Sequence, residues 1–238
     1  MTQLLHAELL KHRTLRLTWG LSAVGLALAA SIGVAGARLA DGAVTAREAV
    51  LAPAQPLWFI VTVLAVLATA GEFQHHTVRT TLLVAPQRGR VIAAKAAVNA
   101  AFGAGLVAAG SLIALAAATA TRAVDGGALP SWSLGAVGGL LAASAVGAVW
   151  AVVASGLGAL TRSTAAALVA LLLWRFVGEA VLPIVTRSPG IGRWTPSGAA
   201  DAVLGRGDGV VQGSGILLAW SAAVVLAAVV LFLRRDPA

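Results

Sequence analysis

Arg175 and Glu179 are the residues of this chain whose types and spacing most directly suggest chemistry inside an apolar segment. They lie four residues apart in the run Trp174-Arg-Phe-Val-Gly-Glu179, so on a helix the two side chains can pair on one face. A charge at the centre of a membrane helix costs about 2.5–3.5 kcal/mol on insertion scales and is usually functional or paired. The pair could line or gate a substrate path, or it could be a structural salt bridge.

A second group joins one carboxylate with two imidazoles, at Glu72, His75 and His76. Glu72 and His76 have the i, i+4 spacing of helical zinc ligands, but such a site needs a third ligand from elsewhere. The other two histidines, His6 and His12, lie near the N-terminus. We interpret the group as the solvated end of an apolar segment and expect no metal site.

Several classes of chemistry lack their residues. The chain has no cysteine, which excludes disulfides, thiolate metal sites and cysteine nucleophiles. It has neither the G-x-S-x-G pattern of serine hydrolases nor the G-x-x-x-x-G-K-[ST] phosphate loop. We therefore expect no catalytic residues, no cofactor and no enzyme activity in this chain.

The composition is that of a polytopic all-α membrane protein. Of the 238 residues, 59% are hydrophobic and 11% are charged, and the mean hydropathy is +0.90. A soluble domain carries about 25% charged residues. The net charge of +8 could suggest nucleic acid, but the basic residues lie in short loops beside apolar runs, where they set membrane topology. We therefore expect the protein to lie in a lipid membrane and not to bind nucleic acid.

We interpret residues 1–238 as a single transmembrane domain with six spans. The run 17–37 is longer than a signal-peptide core and is expected to be retained as the first span. The second segment is short and should extend as helix, beginning near Pro56. An outer loop covers 186–215, where Ser197 could cap a short helix through Leu204. The expected spans are about 17–37, 57–71, 96–120, 134–160, 164–185 and 216–233.

The distribution of Lys and Arg favours two cytoplasmic termini in a multi-pass protein of the cell membrane. With that orientation, inside segments hold ten basic residues and outside loops hold six. The high Ala, Gly and Arg content favours a GC-rich bacterial source. The inside set is Lys11, Arg13, Arg16, Arg79, Arg88, Arg90, Lys95, Arg162, Arg234 and Arg235; the outside set is Arg38, Arg47, Arg122, Arg187, Arg193 and Arg206.

Two patterns concern how helices lie and pack. Residues 2–16 carry an i, i+4 row from Leu5 to Leu9, which predicts an N-terminal amphipathic helix in the membrane interface. A cytosolic extension of the first span remains the alternative. Ala29 and Gly33 form a row of small residues, a pattern that is typical of close helix packing in lipid.

The polar stretch 72–95 predicts a short cytoplasmic helix between the second and third spans. Val78, Leu82 and Ala85 share one helical face, and Pro86 ends the helix before a basic turn. A helix that docks into the groove of a soluble partner explains a loop of this length.

This stretch resembles the loop between the second and third spans of type-2 ABC exporter permeases. The residues that carry the resemblance are Glu72, Thr77, Arg79, Leu82–Leu83, Pro86, Arg88 or Arg90, and Lys95. The six-span layout is similar over the whole chain, although His76 stands where the family commonly has Gly.

The resemblance implies a permease subunit whose partner, a separate ABC ATP-binding subunit, binds ATP and Mg. A coupling helix would dock on that subunit, and the permease would work as a homodimer or heterodimer that exports an amphipathic or hydrophobic substrate. The alternative function is an ATP-independent secondary transporter or channel that uses Arg175 and Glu179. The docking residues so implied are Glu72, Thr77, Arg79, Leu82, Pro86, Arg88 and Arg90.

Overall fold

A computed structural model describes residues 2–14, 16–40, 42–74, 88–206 and 209–234. These residues form helices and connecting turns without a strand, which confirms the all-α prediction for the described chain. Six helical segments are long and apolar enough to cross a membrane, as predicted. The segments are Arg16–Leu39, Ala46–Gln74, Gly89–Val124, Leu134–Thr161, Thr164–Thr186 and Val210–Leu231.

The helices are numbered here in chain order. The second span is preceded by a short helix, and the fifth contains a π-helical turn, Trp174–Gly178, between two α-helices. The α-helices are α1 (Thr2–Thr14), α2 (Arg16–Leu39), α3 (Ala46–Leu51), α4 (Ala54–Gln74), α5 (Arg88–Val124), α6 (Leu134–Thr161), α7 (Thr164–Leu173), α8 (Glu179–Thr186), α9 (Pro196–Val203) and α10 (Val210–Arg234).

The second span lies at the centre of the bundle. In its most apolar stretch 61% of residues are buried, and α4 packs against α5 and α6 through Leu57, Val61 and Val66. As predicted for the short second segment, the helix extends beyond the apolar run and begins at Ala54, close to Pro56. The third span likewise starts earlier than its apolar run, at Arg88.

Small residues set the distance between α2 and α5. A Cβ atom built on Gly33 would lie 2.2 Å from the backbone oxygen of Ala114, so only glycine fits at this crossing. Ala29, one turn earlier, is also buried. The Ala29–Gly33 row therefore packs against another helix, as its spacing indicated.

The fifth and sixth spans lie at the periphery of the bundle. Only 6% of residues in the apolar window of the fifth span are buried, and 11% in that of the sixth. Both spans consequently present wide apolar faces to their surroundings.

The first helix buries polar side chains and exposes leucines. Glu8 and His12 are buried on the side of α1 that packs against α5, whereas Leu9 and Leu10 are 47% and 44% exposed. On the surface of a water-soluble protein a helix usually buries its apolar side chains and exposes its polar ones, whereas α1 does the opposite. A helix is present over Thr2–Thr14, and the amphipathic interfacial role predicted for it stays a prediction.

The π-helical turn in the fifth span was not predicted from the sequence. The N–H of Glu179 bonds to the carbonyl of Trp174, five residues earlier, which widens the helix by one residue at this turn. A Cβ atom on Gly178 would lie 2.9 Å from the Trp174 ring, so the absence of a side chain at Gly178 lets the ring pack against the backbone there.

The outer segment contains a 3₁₀ turn, Pro189–Trp194, followed by α9. The predicted cap at Ser197 is wrong, because Pro196 already occupies the first helical position and Thr195 is the N-cap. The Thr195 hydroxyl accepts a hydrogen bond from the N–H of Gly198. The Arg47 guanidinium bonds the carbonyl of Leu204 over 2.6 Å and ties α3 to the end of α9.

The predicted coupling helix lies outside the described residues, since residues 75–87 contain Thr77, Arg79, Leu82 and Pro86. His75 and His76 lie there too. The flanking residues Glu72 and Arg90 are described, as is the backbone of Arg88.

Candidate functional sites

A closed ring of four charged side chains lies at the base of the stretch 75–87. Glu8 and Lys11 come from α1, Glu72 from the end of α4 and Lys95 from the first turns of α5. The Lys95 ammonium donates to Glu8 Oε2 and to Glu72 Oε1, each over 2.7 Å. The Lys11 ammonium donates to Glu8 Oε1 over 2.7 Å and to Glu72 Oε1 over 2.8 Å. The four-charge ring thus joins three helices.

The ring is more deeply buried on one side than on the other. The side chains of Glu8 and Lys95 are each 7% exposed and that of Glu72 is 12% exposed, whereas Lys11 is 40% exposed. Two acids face two bases, so the formal charges cancel. Removing one partner of a buried pair leaves an uncompensated charge, which typically costs about 3–5 kcal/mol.

The charges of the ring favour the ionised form of both α1 residues. Burial raises the pKa of Glu8, but the ammonium groups of Lys95 and Lys11 outweigh burial and hold that pKa below its ordinary value. Burial likewise lowers the pKa of Lys11, but the hydrogen bonds that its ammonium donates to Glu72 and Glu8 outweigh burial and raise that pKa. Glu8 and Lys11 therefore stay charged at neutral pH.

Next to the ring, a separate group of neutral hydrogen bonds centred on Asn99 extends into the bundle. The Asn99 amide nitrogen donates to Ser155 Oγ over 2.7 Å and to Thr69 Oγ1 over 3.3 Å. Asn99 Oδ1 then accepts from His12 Nε2, 2.7 Å away. Through Asn99, α1 is connected to α4, α5 and α6.

The His12 imidazole is held in its neutral form. Burial lowers its pKa and the nearby Lys95 charge adds to this, while the bond to Asn99 opposes it. The ring stacks on Phe102, with centroids 4.8 Å apart. Its Nδ1 is buried without a hydrogen-bond partner among the described residues, so a proton added there would lack an acceptor.

A cavity of about 680 Å³ opens beside the ring between α1, α2 and α4. Glu8, Lys11, His12 and Glu72 line one side, and Leu64 and Leu67 line another.

The predicted docking residues divide between described and undescribed parts of the chain. The structure brings Glu72 together with Lys95, and both belong to the motif quoted from the sequence. Arg90 is exposed at the start of α5. Sequence reasoning missed Glu8, Lys95 and Asn99 as one polar group, although Glu8 with His12 and Lys95 with Asn99 each show an i, i+4 spacing that could have indicated buried helix faces.

The predicted pair in the fifth span is present. The Arg175 guanidinium lies 3.4 Å from Glu179 Oε2, and the Glu179 side chain is 9% exposed against 43% for Arg175. The other carboxylate oxygen of Glu179 accepts from the backbone N–H of Ser197, at the N-terminus of α9, over 3.2 Å. The favourable helix dipole adds to this contact. Glu179 therefore anchors α9 against the middle of the fifth span.

No cluster of three or more His, Asp or Glu side chains suited to a metal ion occurs within the described ranges. The group of Glu72, His75 and His76 falls partly outside those ranges.

Six helices long and apolar enough to cross a membrane are consistent with a multi-pass helical membrane protein. Comparison of the sequence with protein-family models and with curated proteins found no match.

Proposed function

We propose that this chain is the permease subunit of an ATP-driven ABC exporter in the cell membrane of a bacterium. Both termini are cytoplasmic, and a separate ABC ATP-binding subunit docks on residues 72–90. The permease works as a homodimer or heterodimer, ATP and Mg act in the partner subunit, and the cargo is amphipathic or hydrophobic. The proposal rests on the resemblance of stretch 72–95 and on the geometry at its base.

The four-charge ring is the observation that carries the proposal. Glu72 precedes the segment 75–87 and Lys95 follows it, so a force on that segment acts on both residues. Glu72 pairs with Lys11 of α1, and Lys95 pairs with Glu8 of α1. Glu72 and Lys95 also pair with each other. A partner that moved the segment would therefore move α1, α4 and α5 together, which is the rigid-body transmission that an exporter requires.

The exposed fifth and sixth spans support the proposed dimer. A span of which only 6% is buried within one chain leaves a large face for a second permease subunit. Arg175 lies on this span at its midpoint, where a charge facing lipid alone would be costly.

The experiment that tests the proposal is affinity purification of the full chain from its native membranes, followed by mass spectrometry and ATPase measurement. We expect an ATP-binding cassette protein to co-purify. Pro86→Ala, Arg88→Glu and Arg90→Glu should each weaken that association or its stimulation of ATP hydrolysis. Charge reversal at Arg187, which follows the fifth span, or at Arg193, in the 3₁₀ turn after it, serves as the matched control. Both residues lie in the outer loop, away from the proposed docking segment.

Unchanged association and unchanged ATPase stimulation in all three variants would contradict the proposal. The second candidate function, a secondary transporter or channel, is favoured by the mid-span position of Arg175 and Glu179. It predicts transport by the purified chain alone in liposomes, driven by an ion gradient and abolished by Glu179→Gln.

A further inference from the structure

A second cavity, of about 290 Å³, lies at the level of the fifth-span charge pair. It lies between α4, α6, α7, the π-helical turn and the start of α9, and it is open on the side of Phe59 and Phe176, which are 47% and 66% exposed. Its walls are mainly aromatic and aliphatic, with four rings from three helical segments. These rings belong to Trp58, Phe59, Trp150 and Phe176.

The polar groups around this cavity include unused donors and a positive charge. Among the described residues that line it, Arg175 is the one ionisable side chain and none is acidic. The guanidinium has five N–H donors, and its contact with Glu179, at 3.4 Å, is long for a charge-assisted bond. Glu179 is engaged with the N–H of Ser197 through its other oxygen. Arg175 therefore retains donors that can bind an anion.

Trp150 contributes an aromatic wall to the cavity. The residue is 9% exposed and lines the cavity, and its indole N–H is buried without a hydrogen-bond partner among the described residues. A buried donor without a partner costs about 1–3 kcal/mol. Trp58, by contrast, donates its N–H to the carbonyl of Ala143 over 3.1 Å. Both indoles therefore present ring atoms other than the N–H to the cavity.

We propose that this cavity binds a single-chain amphipath with an anionic head, of the fatty-acid type. Its apolar chain lies among the aromatic rings, and its carboxylate lies at Arg175. Ligand sites of this kind combine apolar walls with a few placed polar groups. The inference rests on the proposed export function and deepens it, because it assigns the exported molecule a charge class and gives Arg175 a binding role.

The test is binding of 9,10-dibromostearate to the purified chain in a non-ionic detergent, followed by quenching of tryptophan fluorescence. Bromine quenches indoles at short range, and Trp58 and Trp150 line the cavity. We expect saturable quenching that unlabelled stearate reverses and stearylamine, with the same chain and a cationic head, does not. Arg175→Gln should weaken binding at least tenfold, and Arg175→Lys should weaken it less.

Arg187→Gln is the matched control, because it removes the same charge outside the cavity and should leave the Kd unchanged. Trp150→Phe should reduce the quenching amplitude, because it removes one of the two indoles that line the cavity. Size-exclusion profiles and thermal unfolding of each variant establish that it is folded. If Arg175→Gln does not fold but Arg175→Lys does, Arg175→Lys is compared with Arg187→Lys instead. Arg175→Lys should then bind more weakly than Arg187→Lys.

Equal affinity of Arg175→Gln and the native chain, or equal competition by stearylamine, would overturn the assignment. The assay contains no ATP-binding subunit. A failure of anion binding would therefore leave the co-purification result standing, and failure of co-purification would leave the measured Kd standing.

Discussion

Lys95 and Lys11 carry the same charge in the same ring, but they differ in burial. Lys95 is 7% exposed and Lys11 is 40% exposed. Each contacts Glu8 and Glu72, so the number of ion pairs that a substitution removes is the same. If each lysine is replaced by an uncharged residue, the difference in the loss of stability therefore measures the cost of removing a buried cation rather than an exposed one from the carboxylates.

We predict that Lys95→Met destabilises the protein by about 3–5 kcal/mol, and that Lys11→Met has a clearly smaller effect. Thermal unfolding in detergent, followed by tryptophan fluorescence, measures both. Glu8→Gln combined with Lys95→Met should be less destabilising than the sum of the single changes, because the two groups are in contact. Equal losses for Lys95→Met and Lys11→Met would show that burial does not govern the ring.

His12 predicts a pH dependence of the attachment of α1. Its pKa is lowered in the folded chain, so below the unfolded value of about 6.5 the unfolded state binds more protons and stability falls as pH falls. The groups that face it are Asn99 and Lys95 on α5, with Glu8 on its own helix and the neutral Phe102. Glu8, whose pKa is also lowered, loses its contribution only at lower pH, near and below about 4.3.

We therefore expect thermal stability to decrease between about pH 6.5 and 5. His12→Gln, which can still donate to Asn99 Oδ1 but does not titrate, should remove this decrease. His6→Gln is the control, because His6 is exposed on the same helix. A native-like decrease in His12→Gln would assign the pH dependence to another group.

Among the helices, the crossing of α2 and α5 depends on Gly33. Its built Cβ would lie 2.2 Å from a backbone atom, which cannot swing aside as a side-chain terminus can. Gly36, in the same helix, has open space at the corresponding position. The two glycines provide a matched pair within one span.

Gly33→Ala should lower stability by about 1–3 kcal/mol through overpacking, while Gly36→Ala should be neutral or slightly stabilising because Ala has the higher helix propensity. Chemical or thermal unfolding of the two variants measures the difference. Both substitutions replace Gly with Ala in the same helix, so the change in intrinsic helix propensity is the same. Similar stabilities of Gly33→Ala and Gly36→Ala would therefore contradict the close contact between α2 and α5.

For the whole molecule, the peripheral fifth span predicts where a second permease subunit packs. The chain has no cysteine, so a single introduced thiol reports on one position alone. Val169 and Phe176 are 53% and 66% exposed on this span, and Leu141, on the fourth span, is 65% exposed.

We expect Val169→Cys and Phe176→Cys to form cross-linked dimers with a short bis-maleimide in native membranes. Leu141→Cys should not, since its exposed face is expected to contact lipid. The mass of the product distinguishes a second copy from a companion permease. Cross-linking at Leu141 that matched the fifth-span positions would indicate random collision and would remove support for this interface.

The three-helix ring and the mid-span pair illustrate different degrees of predictability. Arg175 and Glu179 are four residues apart, so helical periodicity alone places them together. Glu8 is 87 residues from Lys95, and Lys11 is 61 residues from Glu72. No local spacing rule connects these residues, and their meeting depends on how α1 folds back against α4 and α5.

By itself, the sequence determined that the chain is helical and that it contains six spans. Apolar runs near 20 residues match the thickness of a bilayer, and within lipid the backbone must satisfy its own hydrogen bonds. The tertiary structure alone decided that α1 buries charge and exposes leucine, and that Glu179 holds α9 as well as facing Arg175. Those outcomes follow from packing between distant segments, where desolvation and hydrogen-bond geometry select the partners.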